Sequence, residues 1–156
     1  MGGYNRSTRE MILANVSPDT MNVINKHLEQ YNLGSILDDA LICIESNHEK
    51  IKKGLFSGPG AKMLKVTVIL TPRWVIEVYK SDNDVPFARS AQLKDITVSD
   101  WEKDPMYAKM PDTGVNVTGR FTDTSESSSS FFGLGKDAAG DKFKEIFIKA
   151  VQDAKK

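Results

Sequence analysis

The last third of the chain, residues 115–156, constrains the fold more than any other segment. Val115, Val117 and Phe121 alternate with polar residues, which is the period of two that a half-buried strand requires. After a glycine-containing turn at 132–137, apolar residues recur at helical spacing, namely Phe143, Ile146, Phe147, Ala150, Val151 and Ala154. We therefore expect a curled β-sheet that is capped by one C-terminal helix.

The length and charge of the chain exclude several classes of protein. Its 156 residues fit one domain with a substantial core. Lysine and arginine total 21, aspartate and glutamate also total 21, and the formal net charge is zero. A protein that binds nucleic-acid phosphates usually carries a clear positive excess, so we expect no nucleic-acid partner.

Cysteine content and hydropathy bear on cofactors and location. Cys43 is the single cysteine, which rules out an internal disulfide or a cysteine-based metal site. We expect no metal and no cofactor. The N-terminus has no apolar signal core, and the longest apolar run, Val66–Leu70, is too short to cross a bilayer. The expected location is cytoplasmic, and any membrane contact would be peripheral.

The N-terminal part of the chain divides into two segments. Residues 1–16 carry no clear pattern and are expected to be flexible. Residues 17–37 are expected to form a helical extension, because Ser17-Pro18-Asp19 is a strong helix start. Met21, Ile24, Leu28 and Tyr31 then recur at helical spacing, and Gly34 provides a stop.

The middle of the chain is rich in β signals. Residues 41–45 read as a strand, and two β-branched runs at 65–70 and 74–79 flank Thr71-Pro72-Arg73, which predicts a hairpin. Trp74, Ile76 and Val78 are expected to face the core and to pack on Phe143, Phe147 and Val151. Glu77 and Tyr79 would then face away. One further strand is expected within 89–99, and the serine tract 125–130 is expected to be a mobile hairpin tip or a strand end.

Three short motifs follow one another along the chain: Leu70-Thr71-Pro72-Arg73-Trp74-Val75-Ile76, Lys94-Asp95-Ile96, and Phe132-Gly133-Leu134-Gly135 before the final helix. Their order, with the strands around them, resembles the bacterial pleckstrin-homology-like (PH-like) domains of the short, single-domain type. The resemblance covers about residues 38–156 and implies a barrel of two near-orthogonal antiparallel sheets capped by the C-terminal helix. The helix at 17–37 lies outside this PH-like domain.

The resemblance also implies a candidate ligand site. Eukaryotic relatives bind inositol phosphates through basic residues around the loop between the first two strands. The corresponding basic residues here are Lys52, Lys53, Lys62, Lys65 and Arg73. The tight basic pattern of those relatives is replaced by Lys62-Met63-Leu64-Lys65-Val66. An ordinary solvated surface explains the same lysines, and the sequence favours that interpretation.

No set of residues predicts a catalytic chemistry. His27 and His48 are the only histidines and are expected on the surface. We expect no cleft lined by two or more coupled titratable residues. The predicted function is a non-catalytic module that recognises a protein or peptide through a groove or an exposed strand edge. Binding of phospholipid headgroups is the first alternative, and a small enzyme with an unrecognised site is the second. The oligomeric state stays open.

Overall fold

A computed structural model describes residues 4–51, 63–82 and 84–156. Its elements are β1 (Tyr4–Met11), α1 (Pro18–Gln30), β2 (Ile42–Lys50), β3 (Met63–Leu70), β4 (Trp74–Ser81), β5 (Phe87–Gln92), β6 (Ile96–Asp100), β7 (Gly114–Arg120), β8 (Ser127–Gly133) and α2 (Ala138–Ala154). The strands form a five-stranded sheet in the order β1-β2-β3-β4-β5 and a three-stranded sheet in the order β6-β7-β8. Every pair of neighbouring strands is antiparallel. The prediction of a mainly β chain with two helices is confirmed.

The predicted hairpin and both predicted helices are present. The Thr71 hydroxyl accepts hydrogen bonds from the backbone N–H groups of Arg73 and Trp74, which closes the turn between β3 and β4. Helix α1 begins at the expected capping residue, since Ser17 Oγ accepts from the N–H of Thr20 at 3.3 Å. Gly34 follows the helix with a φ of 67°, the left-handed conformation that favours glycine.

The main core lies between the two sheets and α2. Phe143 and Phe147 on α2 are fully buried, as the helical spacing predicts. The start of this helix is tied to the first strand, because the Asp137 carboxylate accepts from the N–H of Gly140 and from the N–H of Thr8, both at 2.8 Å. One side chain therefore caps the helix and also anchors β1.

The predicted orientation of β4 is wrong. Val75 and Tyr79 face the core under α2, and the alternation of a strand places Glu77 on the same side. Val78 instead packs with Ile24 of α1 in a second cluster on the other side of the sheet. Because α1 covers that side, both faces of β4 are buried, and the hydrophobicity of alternate residues cannot distinguish them.

The expectation of a flexible N-terminus is also wrong for residues 4–11. They form β1, which pairs with β2 from Tyr4 opposite Lys50 to Met11 opposite Cys43. The inward-facing residues of β1 are polar. Thr8, for example, is buried and hydrogen-bonds to Ser46. A strand whose buried side chains are polar lacks the alternating hydrophobic signal.

The segment expected to be one strand at 89–99 is two strands in different sheets. A 3-10 turn at Leu93–Asp95 separates β5 from β6. The N–H of Leu93 donates to the carbonyl of Arg73 at 2.8 Å, which fixes the point where the chain leaves the first sheet. At this turn the chain passes from the first sheet to the second.

The two sheets do not close into the barrel that the PH-like resemblance implies. Within the residues that the structure describes, no strand of one sheet pairs with a strand of the other. Side chains connect the layers at the corner between β1 and the segment after β8, where Thr8 Oγ1 accepts from the N–H of Gly135 at 2.8 Å. A side-chain hydrogen bond, and not a ladder of backbone hydrogen bonds, joins the two layers at this corner.

The last four residues of the serine tract belong to β8. They pair with β7, from Ser127 opposite Arg120 to Ser130 opposite Val117. Backbone hydrogen bonds hold this segment without apolar side chains, so its low complexity does not exclude a strand. Across the described ranges of the chain, no helix is long and apolar enough to span a membrane.

Candidate partner-binding groove

The predicted basic site is only partly visible. Lys52, Lys53 and Lys62 lie outside the described residues. Lys65 lies near the start of β3 and Arg73 lies in the turn after it, so the strand rise of about 3.3 Å per residue separates them by roughly 15 Å or more. The structure therefore does not bring these two residues together.

Each of the two visible residues has its own surroundings. Lys65 Nζ lies 3.9 Å from the Glu45 carboxylate. Arg73 lines a separate cleft of about 480 Å³, together with Pro72, Gln92, Lys94, Asp153 and Ala154. The proposal of a common headgroup site gains no support from their positions.

His48 is buried, contrary to the expectation of a surface residue. Its side chain is 1% exposed, and its Nδ1 atom lies 2.9 Å from a guanidinium nitrogen of Arg6. Arg6 also donates two hydrogen bonds of 2.8 Å to the Asp112 carboxylate. Burial and the Arg6 charge lower the pKa of His48 to about 4. The imidazole is therefore neutral near neutral pH and accepts the hydrogen bond from Arg6.

His27 is buried as well, and it contacts a serine. His27 Nε2 lies 2.7 Å from Ser90 Oγ, which in turn lies 2.9 Å from Thr122 Oγ1. Burial lowers the pKa of His27, opposed by the charge of Asp123. Ser90 is completely buried, and no carboxylate in the described part of the chain hydrogen-bonds to His27. The arrangement lacks the accessible nucleophile and the oriented base of a catalytic triad.

Glu77 forms a third buried polar group. It is 1% exposed, and one of its oxygens accepts from the Tyr79 hydroxyl at 2.9 Å. The other oxygen has no hydrogen-bond partner, and the Arg89 guanidinium is 4.0 Å away from it. Arg89 is held by Asp123 at 3.1 Å and lies over the Phe121 ring. Burial raises the pKa of Glu77 to about 8 despite Tyr79 and Arg89, so the carboxyl is protonated at neutral pH.

A groove with charged and apolar side chains lies between α2 and the end of β6. It encloses about 560 Å³ and is lined by Asp100, Lys103, Asp141, Lys144, Glu145, Ile148, Lys149 and Gln152. Ile148 is half-buried and is the single apolar residue in this lining. Acidic and basic side chains surround it in equal number.

An ion pair crosses the groove. Lys144 Nζ lies 3.2 Å from the Asp100 carboxylate and 3.8 Å from that of Glu102, so α2 is tied to the end of β6. The expectation that no cleft would be lined by interacting titratable groups is wrong for this pair. The pair offers charge for recognition, but the groove lining holds no serine, cysteine or histidine that could serve as a nucleophile or base.

Strand β6 meets this groove at its last residue, Asp100. In the ranges 4–51, 63–82 and 84–156, β6 pairs with β7 alone, and Thr97 and Ser99 are exposed. An edge strand presents unpaired backbone N–H and C=O groups that another extended chain can bind. The groove and this edge together form what we call the β6–α2 groove.

Comparison with protein-family models, with curated proteins and with solved structures found no match. The candidate site therefore rests on geometry alone. Sequence reasoning missed its central residue, Ile148, which falls outside the apolar stripe of α2. An apolar residue on the polar side of an amphipathic helix is the signal that could have found it.

Proposed function

We propose that the chain is a non-catalytic binding module that recognises an extended peptide segment of a partner protein in the β6–α2 groove. The observation that carries the proposal is the half-buried Ile148 in the groove lining, near a strand edge that has no partner in the described residues. The peptide adds to β6 as a further antiparallel strand, and one apolar side chain rests on Ile148. Backbone hydrogen bonds supply affinity, and this anchor supplies specificity.

The balance of charge supports a peptide over a phospholipid headgroup. The groove carries three acidic residues, Asp100, Asp141 and Glu145, and three lysines. An anionic headgroup would meet repulsion from the acids, whereas a peptide with charges of both signs can pair with either set. The separation of Lys65 from Arg73 also weighs against a single headgroup site.

We also propose the PH-like relationship and a cytoplasmic location. Two antiparallel sheets followed by a C-terminal helix support the relationship, although the first sheet has an added strand, β1, and the sheets stay open. The location is supported by the single free cysteine, Cys43, which is buried in a strand and fits a reducing compartment.

Selection of binders from a random peptide library, with the purified protein as bait, tests the proposed groove. Ile148→Arg places a charge in the groove lining, and we expect it to weaken the binding of selected peptides at least about tenfold, or roughly 1.4 kcal/mol. The matched control is Ile12→Arg, because Ile12 is an isoleucine that is 65% exposed and lies outside the groove. The control should bind like the unmodified protein.

Hydrogen exchange separates strand addition from other modes of binding. On peptide binding, the backbone amides of the β6 edge around Thr97 to Ser99 should exchange more slowly. Equal affinity of the two isoleucine variants, or protection confined to another surface, would show that the β6–α2 groove is not the binding site. A library that yields no peptide above the background of the support would count against peptide recognition.

A further inference from the structure

In the described residues the two sheets end in four edge strands, and the edges of β1 and β5 are covered. The β1 edge carries charged residues and is also covered, since the N–H of Thr8 donates a hydrogen bond to the Asp137 carboxylate at 2.8 Å. The β5 edge is met by the segment after β7, where the N–H of Thr122 donates to the carbonyl of Ser90 at 2.8 Å. The β6 edge ends at the β6–α2 groove, where we propose that a peptide adds. Charge and cover are usual ways in which proteins block edge-to-edge pairing.

The β8 edge has none of these guards along its first half. Its sequence from Ser127 to Gly133 contains no charged residue and no proline. In the described part of the chain, β8 pairs only with β7. The end of the strand is sheltered, because Gly133 lies against the Arg6 side chain of β1. The open segment is therefore Ser127 to Ser130, which we call the serine edge.

The chemistry of the serine edge suits a second copy of itself. Four consecutive serines read the same in both directions, so an antiparallel pairing about a two-fold axis places serine opposite serine. No like charges then oppose one another across the new ladder. The short side chains of Ser127 and Ser129, which are exposed, leave room for a neighbouring strand at the usual spacing of about 4.8 Å.

We infer that two copies of the chain associate through their serine edges. The pairing joins the two three-stranded sheets into one continuous sheet and leaves β6 at both ends of it. Only four residues of each copy take part, so the interface is smaller than the roughly 1,200 Å² typical of stable complexes. The dimer is accordingly weak and forms at high protein concentration.

Sedimentation equilibrium over a wide range of protein concentrations tests this inference. The unmodified protein should show an average mass that rises from one chain toward two. Ser129→Lys should weaken the association at least about tenfold, because a lysine on an edge strand hinders edge-to-edge pairing. Thr97→Lys is the matched control, since Thr97 is an exposed residue on the opposite edge of the same sheet. It should leave the association unchanged.

Hydrogen exchange on the unmodified protein gives a second measurement that does not depend on a variant. Amides of residues 127–130 that face outward should exchange more slowly as the protein concentration rises, while those of 97–99 should not change. A mass of one chain at every concentration would overturn the inference. Equal weakening by both lysine variants, or protection of 127–130 that is already complete in dilute protein, would overturn it as well.

Discussion

Replacement of Glu77 by glutamine should stabilise the protein, and the gain should grow with pH. Glu77 is buried between the sheets, and one of its oxygens has no hydrogen-bond partner. Glutamine has nearly the same shape but cannot ionise. The variant therefore removes the cost of a buried carboxylate while it keeps an acceptor for the Tyr79 hydroxyl.

The size of the effect follows from the pKa of Glu77, which burial raises from 4.5 to about 8. Between these values the folded protein holds a proton that the unfolded chain has released, so stability falls as pH rises. Each pH unit in that window costs about 1.4 kcal/mol. The loss is on the order of 3 kcal/mol at pH 7 and on the order of 5 kcal/mol above pH 8. Glutamine should recover this loss.

His48 has the opposite dependence, which shapes the curve of the unmodified protein. Its pKa is lowered from 6.5 to about 4, so the folded protein loses stability as pH falls through that window. The two pH windows overlap between pH 4.5 and 6.5. There the change of stability with pH caused by Glu77 is opposite in sign to that caused by His48, and the two cancel to first order. Stability should then be nearly flat in the overlap and should decline between pH 6.5 and 8. The pKa of His27 is also lowered, so this residue too makes the folded protein lose stability as pH falls.

Urea unfolding followed by tryptophan fluorescence, at intervals from pH 4.5 to above pH 8, measures the difference between Glu77→Gln and the unmodified protein. The difference should be small at the acid end and largest at the alkaline end. Glu29→Gln is the matched control, since Glu29 is exposed on α1. A difference that is constant across this range would refute the assignment of Glu77 as a buried, protonated acid.

Two further substitutions test the core and the Arg6 network. Phe147→Ala should cost about 3–5 kcal/mol of unfolding free energy, because it removes a fully buried ring, whereas Phe87→Ala, at a ring that is 49% exposed, should cost much less. Denaturant midpoints decide this, and a loss below about 1 kcal/mol for Phe147→Ala would place α2 outside the core. Asp112→Asn should cost about 3–5 kcal/mol at neutral pH, because the Arg6 guanidinium would stay buried without its counter-ion. An unchanged midpoint for this variant would show that Arg6 finds another partner.

The parts of the fold that sequence could predict are those decided by local chemistry. The start of α1 at Ser17 follows from a capping residue before a proline, and the β3–β4 turn follows from Thr71. The apolar stripe of α2 follows from helical spacing. Each signal lies within a few residues of the structure that it produces, so no knowledge of distant segments is needed.

The rest depends on contacts between residues that are far apart in the chain. Arg6 finds Asp112 across 106 positions, and a strand whose inner side chains pair in this way shows no hydrophobic alternation. The orientation of β4 could not be predicted because α1 buries its second face. The candidate groove is of the same kind, since Ile148 and Asp100 become neighbours only when α2 lies beside β6.

Buried polar groups add to the apolar core in holding the layers of the open sandwich together. Arg6 holds β1 to Asp112 before β7, and Ser90 on β5 joins His27 of α1 to Thr122. In each case the bond connects segments that no strand ladder joins. These hydrogen bonds connect the layers where the two sheets do not pair with each other. The uncovered edges of β6 and β8 are then the places where an extended peptide or a second chain can complete a sheet.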